Sequence, residues 1–247
     1  MLYRRGIFQL VASGFFLSTS GLALRIIEQA DGWQILFYRS LAVSVTILLI
    51  LVFQKGSRIF DEFRGLGWND CLLAVFLGTG FVAYVFALLY NTVANALFIF
   101  SCAPFVAGFL GWILLGERVA TRTWFAIGAA MAGLTVMVGS ELAFSRYLGT
   151  LIALWIPIAY AASIIVIRSS KRENMLAALC LAGLVSVGLS AIFVTDYALT
   201  LQDLIISLYL GVFQAGVGFT LVVLGTRYVP AAQVGLLAMV EPVLAPI

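Results

Sequence analysis

Two ionisable residues stand far inside apolar runs: Arg39 within "QILFYRSLAVSV" (34–45) and Glu241 within "GLLAMVEPVLAPI" (235–247). If these runs cross a bilayer, an ionised side chain at their centre costs about 2.5–3.5 kcal/mol, so each needs a reason to be there. At helical rise Arg39 lies ~9 Å below the outer edge of its run and Glu241 ~18 Å above the inner edge of its own. In a hydrocarbon core ~30 Å thick those depths nearly coincide. The chemistry they could do together is recognition of a charged solute in one aqueous cavity. Arg39 would hold an anionic group by a forked hydrogen bond, and Glu241 would take an ammonium group or carry a proton. The alternatives are a salt bridge between the two, an Arg39 that snorkels to the interface, and a neutral Glu241 bonded to a neighbouring helix.

Other residues fit the wall of such a cavity. Tyr84, Trp155, Tyr160 and Gln214 supply the aromatic, sparsely polar lining that small-molecule pockets use. Polar residues also fall at helical spacing: Gln9, Ser13 and Ser20; Asn95 and Cys102; Gln233 and Glu241. Ser13, Asn95 and Gln233 therefore join the candidate binding set, although interhelical hydrogen bonding explains such residues equally well. Pro104 and Pro242 each remove a backbone donor and free a carbonyl one turn earlier, which bends a helix and can aim that carbonyl into a cavity. Packing kinks are the simpler reading. The small-residue run "GAAMAG" (128–133) reads as a close helix–helix contact.

The elements that must position these groups are membrane helices. Of the 247 residues 63% are hydrophobic and 10% charged, against about 45–50% and 25% in soluble domains. Nine apolar segments stand out, at 6–27, 33–53, 71–89, 93–115, 123–139, 148–167, 175–194, 204–224 and 229–247. They are continuous rather than alternating, which favours helices over barrel strands. The first is too long, and lacks the cleavage site, for a removable signal peptide. With the N-terminus inside, Arg4, Arg5, Lys55, Arg58, Arg64, Arg118, Arg122, Arg168, Lys171, Arg172 and Arg227 fall on the cytoplasmic side and Arg146 in an outer loop. A multi-pass protein of the cytoplasmic (inner) membrane follows, with lipid as its surroundings.

Several function classes are excluded by what is missing. There is no histidine, and Cys71, Cys102 and Cys180 are scattered, so no metal site, no cofactor and no disulfide framework is expected. The net charge of +3 forms no patch for nucleic acid. No Gly-x-x-x-x-Gly-Lys-Ser/Thr phosphate loop occurs. An intramembrane enzyme would need paired aspartates, a Ser/His couple or metal ligands within the spans; a scaffold or assembly subunit is the remaining alternative.

Displacing the sequence by 138 residues aligns 78–107 with 216–245, matching Gly78/Gly216, Gly80/Gly218, Phe81/Phe219, Val85/Val223, Tyr90/Tyr228, Ala94/Ala232, Pro104/Pro242 and Ala107/Ala245. Asn95 and Gln233 also become mates. A displacement of 143 pairs the first and sixth spans. Two five-span copies, residues 1–140 and 147–247, would enter the membrane from opposite faces, the inverted-repeat plan of many secondary transporters. The second copy then reads as incomplete, ending within helix nine of ten.

Proline in the fourth span followed by "LGER" (115–118), its echo "EPVLAP" (241–246), "FYRS" (37–40), "NTVANA" (91–96) and "VPAAQV" (229–234) together resemble the EamA-like branch of the drug/metabolite transporter superfamily. The resemblance implies ten helices in two inverted halves and alternating access around a central cavity. It implies movement of small metabolites without ATP hydrolysis, with helices five and ten away from the solute path. An exporter of amino acids or drug-like amphiphiles is expected, with the proton as candidate coupling ion and the chain acting as a monomer or homodimer.

Overall fold

The computed structural model describes residues 2–56, 59–138, 147–172 and 174–244, and among these every regular element is a helix. Arg58, Arg146 and the last three residues, which entered the reading above, lie outside the described residues. In chain order the elements are α1 (Leu2–Ser18), α2 (Ser20–Arg25), α3 (Gly32–Lys55), α4 (Ile59–Arg64), α5 (Trp68–Tyr90), α6 (Val93–Phe100), α7 (Ala103–Leu115) and α8 (Thr121–Val138). They continue with α9 (Tyr147–Ser169), α10 (Leu176–Phe193), α11 (Leu201–Tyr209), a π-helical stretch (Leu210–Val217), α12 (Gly218–Thr226), α13 (Ala231–Ala238) and α14 (Val240–Leu244).

Seven of the described helical segments are long and apolar enough to cross a membrane. That is fewer than the nine apolar runs: α8 (Thr121–Val138) is not among the seven, and Ala231–Leu244 is a shorter apolar helix. The ends carry the expected local signals. Asp31 Oδ1 accepts from the N–H groups of Trp33 and Gln34, and Gln34 Oε1 accepts from Asp31 N–H, a reciprocal cap that starts α3. Thr92 and Thr200 cap α6 and α11 through the N–H groups of Asn95 and Asp203. Gly116, at φ 66°, ends α7 in the left-handed conformation.

The helices pack as a bundle around two apolar clusters. One joins α1, α5, α6, α7, α9, α12 and α13; the other joins α3, α5 and α10 with the end of α9 and part of the π-helical stretch. Phe219 and Ile152 touch both clusters. The outside is apolar too: Phe8, Phe53, Phe125 and Val136 are at least 75% exposed, as suits helices solvated by lipid.

Charged groups gather at the two ends. At the end where α1 begins, Arg172 pairs with Glu62 (2.9 Å) and Asp70 (3.1 Å), Lys55 pairs with Glu62 (2.8 Å), and Arg168 pairs with Glu117. Glu117 Oε2 also accepts from Ala231 N–H, and Arg227 donates to the Arg172 carbonyl. At the opposite end the buried Asp203 carboxylate accepts from the N–H groups of Glu28, Gln29 and Ala30 at 3.0–3.1 Å. Gln34 Nε2 donates to the carbonyls of Asp196 and Ala198. Arg25 closes α2 at this second end, so a count that sets a single basic residue against the others omits one: Arg25 was hidden within the first apolar run.

Candidate functional site

A short turn of π-helix decides where the second polar group of the site falls. The stretch Leu210–Val217 lies against α3 because Gly211 has no side chain; a Cβ there would meet Ala42 Cβ and the Arg39 carbonyl oxygen. That close approach sets Gln214 beside Arg39. Arg39 Nε–H and Nη2–H both donate to Gln214 Oε1, at 3.3 and 3.1 Å, and the guanidinium carbon lies 5.1 Å from the centre of the Phe81 ring. Arg39 is 2% exposed, so it does not snorkel. Its Nη1 is buried with no hydrogen-bond partner.

Glu241 arrives from the other end of the sequence. The ninth apolar run breaks between α13 and α14 at Met239, and Val240 packs on Gly14, whose absent Cβ would lie 2.7 Å from Val240 Cβ. Glu241 is 2% exposed, and its Oε1 accepts from the Tyr84 hydroxyl at 2.6 Å. The Tyr84 hydroxyl is in turn 2.5 Å from Ser20 Oγ. Since Tyr84 donates to the carboxylate, Ser20 donates to Tyr84.

Arg39, Tyr84, Tyr160, Gln214 and Glu241 line one cavity of about 40 Å³, room for roughly three waters by the volume each needs. Its remaining wall is mostly aromatic, with Phe81 edge-on to Phe219 (centroids 4.8 Å apart) and Phe100 edge-on to Tyr160 (5.3 Å). Arg39 and Glu241 face this space without forming an ion pair within 4 Å among the described residues. The cavity thus holds a cation whose Nη1 amino group is unused, a carboxylic group, two hydroxyls and an amide in an apolar shell. No cluster of three metal-ligating side chains exists among the described residues.

Four candidates from the sequence lie elsewhere. Ser13 donates to the Leu10 carbonyl within α1. Asn95, in the first turn of α6, donates to Asn91 Oδ1 near the α5–α6 turn. Gln233 accepts from Tyr3 at the end where α1 begins. Trp155 donates to Thr79 Oγ1 and lines a separate apolar groove with Trp33, Phe86 and Tyr90. Pro104 follows the α6–α7 break and packs on Gly235, and Pro242 follows the α13–α14 break. Sequence reasoning did not single out Phe81, Phe100, Phe219 or the Ser20–Tyr84 contact. The signal for Phe81 and Phe219 was present, because the 138-residue displacement makes them mates.

A family model described as the EamA-like transporter family matches residues 4–139. A search of curated proteins gives no match. One solved structure, described as a crystal structure of a protein, superposes with a TM-score of 0.79 at 17% identity, over 97% of this chain and 85% of that one; at that identity the likeness speaks for the fold. The buried arginine and glutamate, set in a helical bundle with a lipid-facing surface, therefore sit within a recognised scaffold: the chain belongs to the EamA-like transporter family.

Proposed function

We propose that the protein is a secondary transporter that exports small organic metabolites bearing an anionic group, amino acids or drug-like amphiphiles among them, by alternating access. The single observation that carries this is the unused Nη1 of Arg39, buried on the same cavity as the Glu241 carboxyl group. A buried guanidinium N–H group left without an acceptor is costly, and an anionic solute supplies the acceptor. Glu241 then meets an ammonium group or exchanges a proton, and the aromatic wall takes the apolar part of the solute.

At about 40 Å³ the cavity is far below the roughly 300–1,000 Å³ of small-molecule pockets. Both ends are tied, by Asp203 and Gln34 at one and by Arg172 and Glu117 at the other. This is what alternating access expects of its closed state, in which one set of ties must release before solute enters. Two of the helix breaks, at Ser101–Cys102 and at Met239, are 138 residues apart at their first residues, and α7 packs on α13 through Pro104 and Gly235. These support two inverted copies, residues 1–140 and 147–247. The basic end of the bundle, with Arg4, Arg5, Arg168 and Arg172 among its residues, is assigned to the cytoplasm of an inner membrane.

The test is transport in proteoliposomes, scored by exchange of labelled amino acids, organic acids and amphipathic amines and by response to a pH gradient. Arg39→Ala abolishes exchange of the anionic solutes, and Glu241→Gln removes the response to the gradient. Exchange at the parental rate by Arg39→Ala refutes the reading.

A further inference from the structure

We propose that Ser20 and Tyr84 form a two-hydroxyl relay that carries a proton between the α2–α3 end of the bundle and the Glu241 carboxyl group. The proposal rests on the reading above in one respect, that Glu241 takes up and releases a proton.

Three separated parts of the chain meet in this chain of bonds. Ser20 is the first residue of α2, just past the interruption at Thr19 that divides it from α1. It lies five residues before Arg25, the last residue of α2, which is ~8 Å from that end at helical rise. Tyr84 lies within α5, and Glu241 begins its approach from the opposite end, ten residues after Ala231. Ser20 and Tyr84 lie at nearly the same depth from the α2–α3 end, five residues before Arg25 and six before Tyr90, and that end is the outer face in the proposed orientation. The spacings of 2.5 and 2.6 Å join all three oxygens. Among the described residues no other side chain is hydrogen-bonded to the carboxylate.

Apart from Tyr84, no titratable side chain of the cavity is bonded to Glu241 among the described residues. The charged or titratable groups on the same cavity are Arg39 from α3, Tyr84 from α5 and Tyr160 from α9. α1, α6 and α12 contribute Leu17, Phe100 and Phe219, and the π-helical stretch contributes Gln214, none of which titrates. Arg39 is held by Gln214 and bears on the charge of Glu241 without bonding to it.

The transfer balances at each oxygen. Ser20 is 1% exposed, so the first step follows opening of the α2–α3 end: a hydronium ion then bonds a proton to Ser20 Oγ, and the original Ser20 hydroxyl proton passes to Tyr84 Oη. The Tyr84 hydroxyl proton then passes to Glu241 Oε1. Water is left outside, Ser20 and Tyr84 remain neutral hydroxyls, and the carboxylate becomes a carboxylic acid. Rotation of the two hydroxyls resets the chain for the next proton, and the reverse sequence empties Glu241.

The full chain in nanodiscs tests this without any solute. After a pH jump, time-resolved infrared spectroscopy follows the carboxylic C=O band assigned to Glu241 by its loss in Glu241→Gln. Tyr84→Phe slows the appearance of that band roughly a hundredfold, the lower range of what a positioned proton donor contributes. Ser20→Ala interrupts the same chain from its other end and slows it as well, so the relay stays testable if one variant fails to fold. A Tyr84 that only holds Glu241 in place changes the midpoint of the titration and leaves the rate intact. An unchanged rate in both variants overturns the relay while the Glu241 reading survives; a parental protein with no titrating Glu241 band overturns both.

Discussion

Arg39 shows why residue type matters more than charge at this site. Its planar fork gives two N–H groups to one amide oxygen while the ring of Phe81 covers its face. A lysine ammonium keeps the charge and cannot keep that geometry. Arg39→Lys is accordingly expected to weaken solute binding by about tenfold or more, roughly the 1.5–3 kcal/mol of a hydrogen bond to a charged group, as read by calorimetry with whichever anionic solute exchanges. Equal affinity in the lysine variant contradicts a forked contact. Glu241→Gln behaves in the opposite way. The amide oxygen still accepts from Tyr84, so thermal stability changes by less than about 1 kcal/mol, yet the site has no group left to protonate. A large loss of stability in that variant means that the carboxylate is a structural acceptor rather than a titrating group.

At the scale of elements, the π-helical stretch is the part on which the site turns. Gly211→Ala places a methyl group against Ala42 and the Arg39 carbonyl, an overpacking expected to cost about 1–3 kcal/mol. The relief is to move the stretch off α3, which takes Gln214 from Arg39, so loss of solute binding accompanies the loss of stability. Thermal unfolding and binding measured together check this, and a variant that unfolds earlier but binds normally counts against the coupling. Nothing in the sequence marks this stretch, because a π turn uses the same apolar residues as its flanking α-helix. The helices themselves were legible, since long apolar runs punctuated by charge leave few other solutions, and two of the broken helices were legible through Pro104 and Pro242, whereas the break at Thr19 carries no proline. Depth was less so. On one continuous helix Gln233 and Glu241 would share a face, but eight residues separate them, ~12 Å along the axis, the helix breaks at Met239 between them, and only the deeper one reaches the cavity. Asn95 fails for the same reason at the other end. Trp155 and Tyr160 are five residues apart, about 140° around a helix with 3.6 residues per turn, so one cavity does not receive both.

For the whole molecule the cost of opening one end is set by the groups that tie it. Arg172 binds the α9–α10 connection to α4 and to the start of α5 through Glu62, Asp70 and the Gly65 carbonyl. The two carboxylates are not equivalent. Asp70 is 1% exposed and Glu62 17% exposed at the side chain, so losing Arg172 leaves a buried charge without its partner, a change on the order of 3 kcal/mol. Neutralising the more exposed Glu62 costs about 1 kcal/mol or less. Arg172→Ala is thus expected to raise hydrogen exchange in residues 59–66 well beyond Glu62→Gln. Acid should loosen the same end. The hydrogen bond from Lys55 and the charges of Lys55 and Arg172 hold the Glu62 carboxyl below its ordinary value. A group whose folded value is depressed contributes its stabilisation above the unfolded value, about 4.3 for glutamate, and loses it as pH falls through the folded value. Exchange in residues 59–66, corrected for its intrinsic pH dependence, is therefore flat from neutral pH down to about 4.3 and rises below it, and Glu62→Gln removes that part of the rise which Glu62 carries. If the two variants exchange alike at neutral pH, the buried Asp70 contact is not what holds this end shut, and the opening step must be sought instead in the Arg168–Glu117 tie.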